Sequence, residues 1–412
     1  MSQNSLPVSP LAPEFFPEIP AIDGVGMAAC EAGVRYAGRT DVLLMKLAEG
    51  TAAAGVFTKS KTAAASIDWC RSVLPLGTAG ALVVNSGNAN AFTGAEGAEA
   101  VRKLATTAAE VCGCTADQVF IAQTGVIGEP IDASKVTSVL PGLAQSLGSD
   151  WKGAAEAIMT TDTYPKGCAA HCTIGGVPVT IAGVSKGSGM IAPDMATMLA
   201  FIFTDAVISA DVLQIMLTRA VEKSFNSITV DSDTSTSDTV LAFATGTAAH
   251  PPATELGEAG LSEFHHALDA VCLDLAHQVV RDGEGASKFI KIRISGAEDD
   301  GAARRIGLAI ANSPLVKTAL AGEDANWGRI VMAVGKSGEA ADRDKLVISM
   351  GSVTIAEAGA AVAGYDEAPV AEHMKGSEIE IAVHVGVGSG AATVWTCDLT
   401  HSYIDINADY RT

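Results

Sequence analysis

Positive charge is scarce in this sequence: 47 Asp and Glu face 27 Lys and Arg, for a formal net charge of -20. That balance argues against a surface for nucleic-acid phosphates, which needs clustered Lys and Arg, and against anionic lipid headgroups. No apolar run reaches the roughly 18 residues of a membrane span. Aromatic residues are also few, at 5%, whereas 48% of the chain is apolar and 42 residues are Gly. Such a composition suits a tightly packed enzyme of mixed α and β structure and excludes disordered or fibrous classes. Eight cysteines in 412 residues make no disulfide framework. The nearest approach to a zinc pattern, Cys168-Ala-Ala-His171-Cys172, falls in a stretch that alternates like a strand, whereas zinc ligands usually come from turns. The cysteines are read as structural and reduced, as in the cytoplasm, and no metal site is expected. The first twenty residues are Pro-rich and carry Glu14 and Glu18 without a basic segment, so they do not read as a secretion signal. They are expected to be a loosely ordered lead-in, with the folded part starting near Ala21.

A chain of this length exceeds one ordinary core, so two domains or two intertwined layers are expected. An apolar run over 80–84 ends in the turn-forming Asn85-Ser-Gly-Asn-Ala-Asn90. Residues 97–111 read as a helix with Val101, Leu104, Ala105 and Ala108 on one face. A strand-like stretch over 117–122 leads into Gln123-Thr-Gly-Val-Ile-Gly128. Residues 168–174 and 177–184 flank Gly175-Gly176, a hairpin signal. The second strand runs into Ser185-Lys-Gly-Ser-Gly-Met-Ile-Ala-Pro-Asp-Met-Ala-Thr197, and 198–203 then reads as a buried strand. Helices are expected from an N-cap at Ser209, over 261–280 and largely over 305–320, with strands at 289–294, 379–385 and 392–399. Hairpins are frequent and parallel crossovers are not evident, which predicts an antiparallel, layered α+β fold.

Several familiar chemistries find no support. Gly187-Ser-Gly189 and Gly386-Val-Gly388-Ser-Gly390 do not complete a dinucleotide fingerprint, and no phosphate-binding Gly-Lys loop occurs. Asp231 and Asp233, two apart at a strand end, have the spacing of a Mg²⁺ phosphatase start, but the downstream Lys and acidic pair are missing. A tight turn is the simpler reading. None of the scattered histidines stands beside a Ser or Cys, so a Ser-His-Asp or Cys-His site lacks local support. Acyl transfer would then need another base. The α-amine of a threonine made N-terminal by chain cleavage can serve, because its pKa of ~7.7–8.0 leaves part of it neutral near pH 7. Thr197 has a fitting context: a Gly- and Pro-containing loop before it, the small Ala196 at the bond to be cut, and an apolar strand after it.

The run from Lys186 to Phe201, KGSGMIAPDMATMLAF, closely resembles the self-processing segment of the glutamate/ornithine N-acetyltransferase family of arginine biosynthesis. The likeness covers nearly the whole chain, through Gly55-Val-Phe-Thr58, Asn85–Asn90, Thr124-Gly-Val-Ile-Gly128, Thr160-Thr-Asp-Thr163, Asp231-Ser-Asp-Thr-Ser-Thr236, Asp282-Gly-Glu-Gly-Ala-Ser-Lys288, Ser313-Pro-Leu-Val-Lys-Thr318, Asn326-Trp-Gly-Arg329 and Ile406-Asn-Ala-Asp-Tyr-Arg-Thr412. The resemblance implies an α/β/β/α sandwich-like fold, self-cleaved between Ala196 and Thr197 into an α fragment, 1–196, and a β fragment, 197–412. It implies that Thr197 is the nucleophile, with Thr124 and Gly125 as the oxyanion hole. Thr160, Lys186, Thr197, Glu284, Asn407 and Thr412 would hold the substrate. Lys186 suits an amino-acid carboxylate and Glu284 an ammonium group. The implied reaction moves acetyl from N-acetylornithine to glutamate without cofactor or metal, with acetyl-CoA as a second donor in bifunctional members. A heterotetramer of two α and two β fragments in the cytoplasm is implied. A self-processed aminopeptidase or amidase is the alternative of the same chemistry.

The sequence departs from the usual family pattern at Phe92 in place of Cys, Asp194 in place of Asn, Ser232 and Ser237 in place of Gly and Asn, and Ala325 in place of Pro. None of these is a proposed nucleophile or oxyanion donor. On the resemblance, the segment that begins at Asp231 is a structural loop.

Overall fold

A strand covered on both faces must be apolar at almost every position, and the chain supplies several such runs. The computed structural model describes residues 7–192, 198–257 and 260–408. Its first strands are β1 (Val25–Cys30), β2 (Val42–Leu47), β3 (Ala52–Phe57), β4 (Ala81–Asn85), β5 (Val119–Gln123), β6 (Lys166–Ile174), β7 (Val177–Lys186), β8 (Leu199–Thr204) and β9 (Thr239–Ala244). They form two sheets, in the orders β1-β2-β4-β5 and β3-β9-β8-β7-β6.

Side chains two apart along a strand share a face, and that period builds the layers. From β8, Leu199, Phe201 and Phe203 point at the first sheet and join Leu43, Met45, Leu82, Val84 and Phe120. Ala200 and Ile202 point the opposite way, toward the helices Ala210–Lys223 and Leu261–Arg281. From β4, Ala81 and Val83 face the helix Gly94–Cys112 through Val101, Leu104, Ala105 and Ala108. The order helix, sheet, sheet, helix is the expected α/β/β/α layering. β8 lies inside its sheet, antiparallel to β7 and parallel to β9. A cut before Thr197 therefore would not separate two bodies, because the strand that follows it is paired on both sides.

The remaining strands are β10 (Phe289–Ala297), β11 (Val347–Met350), β12 (Val353–Glu357), β13 (Ala360–Ala361), β14 (Glu378–His384) and β15 (Gly390–Cys397). They form a third sheet, β13-β12-β11-β14-β10-β15, with its own core of Ile290, Ile292, Ile306, Ile310, Ile348 and Ile381. It joins the rest through Trp395 and Cys397, which pack into the core under helix Leu261–Arg281.

Three expectations need correcting. The sheets are mixed: β4 and β5 pair in parallel, as do β8 and β9, and each pair is joined through a helix-containing crossover that a search for hairpins overlooks. Residues 305–320 are two helices, Asp300–Ala311 and Pro314–Ala321. Pro314 cannot continue the first helix but suits the first turn of the second, where Ser313 Oγ accepts the Val316 N–H. The described residues before Ala21 are docked: Leu11 is buried, the Ser9 N–H donates to Thr163 Oγ1 at 2.9 Å, and the Ser9 hydroxyl donates to the Arg281 carbonyl at 2.6 Å. An extended, Pro-rich stretch gives no periodic sign of such docking.

Phe243 sits between the two main sheets, stacked on Phe203 at 5.3 Å and edge-on to Phe120 at 5.6 Å, with no exposed surface. Phe243→Ala is expected to cost about 3–5 kcal/mol of unfolding free energy, read by urea denaturation.

Candidate active site

The sheet register brings the ends of several strands to one place. Lys186, last in β7, pairs with Leu199, first in β8, and Leu199 also pairs with Thr239, first in β9. A pocket opens at this end. It is lined by Thr124 and Gly125 beyond β5, by Thr160, by Lys186, by Ser235, Thr236 and Ser237 ahead of β9, by Glu284 after helix Leu261–Arg281, and by Asn407 in helix His401–Asn407. Thr124, Gly125, Thr160, Lys186, Glu284 and Asn407, gathered from five separate sequence segments, thus share one cavity. Ala196, Thr197, Thr412 and Asp194 lie outside the described residues.

Gly125 has φ +127°, and a Cβ there would lie 2.3 Å from the Gly87 carbonyl carbon and 2.6 Å from the Asn88 nitrogen. Only glycine permits that approach. It lets the Val126 N–H donate to Gly87 O at 3.2 Å and the Thr124 N–H to Asn85 O at 3.1 Å. The opposing loop is held by buried amides: Asn85 Nδ2 donates to Asn88 O, Gln123 Nε2 to Asn85 Oδ1, and Asn90 Nδ2 to Gln123 Oε1. Neither the Thr124 hydroxyl nor the Gly125 N–H has a hydrogen-bond partner among the described residues. Both residues line the cavity.

Lys186 is 2% exposed, and burial lowers its pKa despite the carboxylates around it. One of its neighbours is Asp162 Oδ2, at 4.0 Å. Asp162 Oδ1 accepts Lys166 Nζ at 2.7 Å and the Gly187 N–H at 2.6 Å, while Oδ2 accepts the Thr160 N–H at 2.9 Å. Burial would raise the Asp162 pKa, but the Lys166 and Lys186 ammonium groups outweigh it and hold the group ionised. Lys166 also donates to Asp282 Oδ2 at 2.5 Å, and Asp282 in turn accepts the Thr163 N–H at 2.9 Å. Lys186 is therefore a buried, weakly paired basic side chain at the pocket wall.

Glu284 is 8% exposed, and its Oε2 accepts Asn407 Nδ2 at 2.7 Å. Gly189 allows it into the pocket, because a Cβ at that position would lie 2.5 Å from Glu284 Oε2. A carboxyl side chain and a basic side chain thus line the same cavity.

Asp231 and Asp233 share a turn, in which the Asp233 N–H donates to Asp231 Oδ1 at 3.3 Å. The Asp231 carboxylate accepts the Met190 N–H at 2.6 Å and the Ile191 N–H at 2.9 Å, and Thr229 Oγ1 and the Val230 N–H both donate to Ile191 O. Ser232 has φ +68°, a conformation glycine adopts without strain. Phe92 is also left-handed, at φ +58°, and 85% exposed. Sequence reasoning missed Lys166, Asp282 as its partner, and Asp238, whose Oδ1 accepts the Met198 N–H at 3.1 Å. Asp162 and Asp282 stand inside family segments, so the resemblance could have flagged them. Lys166 has one partner four residues away, Asp162, and a second, Asp282, 116 residues away.

A family model described as the ArgJ family matches residues 26–412. The chain belongs to the ArgJ family. The arginine biosynthesis bifunctional protein ArgJ of Rhizobium meliloti is 57% identical over 408 residues, covering 98% of this chain and 99% of that protein. The protein of the same name from Mesorhizobium japonicum is 56% identical over 411 residues, covering 99% of this chain and all of its own. Among solved structures, the arginine biosynthesis bifunctional protein ArgJ of Bacillus halodurans matches at 39% identity and TM-score 0.48, over 50% of this chain and 96% of that one.

In this ArgJ family member, burial raises the Asp231 pKa from 3.8 to about 6, and the Met190 and Ile191 N–H groups only partly offset that. The folded chain then binds more protons than the unfolded chain between these values. The contribution of Asp231 to stability therefore falls as pH rises from about 4 to about 6 and is level above that. Urea denaturation across this window should show wild type losing up to about 3 kcal/mol relative to Asp231→Asn. A difference that stays constant with pH would contradict it.

Proposed function

We propose that this protein is a glutamate N-acetyltransferase of arginine biosynthesis, which moves the acetyl group of N-acetylornithine to glutamate through an acetyl-Thr197 intermediate. The observation that carries this reading is the shared pocket. Two oxyanion donors, Thr124 and Gly125, line the same cavity as the cation of Lys186 and the carboxylate of Glu284. An amino acid held by both its charged groups would have its acyl-bearing nitrogen fixed near those donors, which is the positioning that acyl transfer needs.

The chain first cuts itself between Ala196 and Thr197, giving fragments 1–196 and 197–412. The freed α-amine takes the Thr197 hydroxyl proton as Oγ attacks the acetyl carbonyl carbon. The Thr124 hydroxyl and Gly125 N–H stabilise the oxyanion, which collapses to the Thr197 ester as ornithine leaves with the proton. Glutamate then binds the same residues, its amine attacks the ester, and N-acetylglutamate departs with Thr197 restored. Thr160, Lys186, Glu284, Asn407 and Thr412 orient both substrates. The chemistry calls for no cofactor or metal. The word bifunctional in the names of the relatives supports acetyl-CoA as a second donor, tested by its turnover with glutamate alone. The pairing of β8 with β7 and β9 supports fragments that stay together after cleavage, and family resemblance supports their pairing as a cytoplasmic heterotetramer.

Intact mass under denaturing conditions should show two fragments, the second beginning at Thr197, while Thr197→Ala should remain whole and inactive. Acetylornithine consumption should depend on glutamate; equal release without it would make the protein an amidase instead. Thr124→Ala should lower kcat by about 10²–10³-fold in a steady-state assay.

A further inference from the structure

Met198 follows the proposed cleavage point and is held through both backbone polar groups. Its N–H donates to Asp238 Oδ1 at 3.1 Å, and its carbonyl accepts the Thr239 N–H at 3.1 Å. Asp238 has no exposed surface, and its Oδ2 has no hydrogen-bond partner among the described residues. The hydroxyls of Thr58 and Ser235 flank the carboxyl. Thr58 Oγ1 donates to the Ser235 carbonyl at 2.8 Å, and Ser235 Oγ accepts the Ser237 N–H at 3.0 Å. Lys186 is a cation that acts on Asp238. An ionised carboxylate in such a place costs several kcal/mol unless strongly paired. Burial drives the Asp238 pKa well up, beyond what the Met198 N–H and Lys186 offset. Anchoring one N–H would not by itself call for so costly a group.

We propose that Asp238 is a positioning residue of the acyl-transfer site, fixing Met198, the residue that follows the proposed nucleophile Thr197. It acts as the neutral acid, with Oδ1 the acceptor for Met198 and the proton on Oδ2. This inference rests on the function proposed above. It adds an anchor on the β-fragment side of the cleavage point, beyond the residues that touch substrate.

The test compares Asp238→Asn and Asp238→Ala in the full chain, following self-cleavage with time by denaturing gel, kcat and KM for N-acetylornithine with glutamate, and the pH profile of kcat. Asp238→Ala should lower kcat about 100-fold, as small misplacements in active sites do, with KM little changed. Asp238→Asn keeps a neutral side chain with an acceptor oxygen. It should retain most of the activity, with a pH profile superimposable on wild type. Asp238→Ala with wild-type kcat would overturn the proposal, as would Asp238→Asn as impaired as Ala, since that would require the ionised form. Should Asp238→Ala fail to fold by circular dichroism, the Asp238→Asn rate and profile decide alone. A wild-type chain that transfers no acetyl would instead remove the proposed function, an outcome separable from the loss of Asp238's role in an active enzyme.

Discussion

The Asp162 carboxylate ties the segment before β6 to the start of β6 and to the end of β7. It binds Lys166 and the Gly187 N–H through one oxygen, the Thr160 N–H through the other, and lies 4.0 Å from the Lys186 ammonium. With Asp282 it makes a set of two carboxylates and two ammonium groups, all buried. Such sets often stabilise a fold no more than apolar side chains of the same volume would. Their use is geometric, because removing any member leaves a charge without compensation. Here the geometry serves the pocket: Thr160 and Lys186 both line it, and one carboxylate binds the Thr160 N–H and the N–H of Gly187, which follows Lys186.

That arrangement depends in turn on the layering. Lys186 can stand beside the start of β8 only because β7 runs antiparallel to it, and residue 238 can reach Met198 only because β9 runs parallel to it on the other side. The two directions of pairing around one central strand place the end of β7 and the beginnings of β8 and β9 at the same edge. Apolar residues on both faces of β8 fix it there, so the position following Thr197 is among the most firmly held in the chain.

Periodicity made much of this legible. The run after Thr197, the Gly175-Gly176 hairpin and the long helix that begins at Leu261 are each visible as local patterns, and each appears within a few residues of its expected limits. The parallel pairs were not legible, because a crossover through a helix leaves no mark at either strand. The pocket residues were legible through resemblance alone: nothing about Glu284 or Asn407 in isolation marks them as neighbours, and they are 123 residues apart. Lys166 and Asp238 escaped both kinds of reading. Asp282 and Met198, to which they are tied, lie 116 and 40 residues away, and a buried ion or acid looks in sequence like an exposed one.

The two acids that bracket the loop before β9 show what such a reading misses. Asp231 drew attention as half of a metal-binding pair, yet its oxygens accept the amides of Met190 and Ile191. Asp238 drew none, yet it accepts the amide of Met198. One loop thus grips the described residues on both sides of the proposed cleavage point, each through a carboxyl that desolvation disfavours as an anion. If the peptide bond between Ala196 and Thr197 breaks, continuity of the chain no longer restrains the two new ends. The grip of this loop does not depend on that bond, so the α-fragment end stays tethered through Ile191 and the β-fragment end through Met198. Under the proposed mechanism, a hydroxyl that acts first on its own chain and then on a bound amino acid would need its position set by such noncovalent anchors, which do not depend on the cut bond.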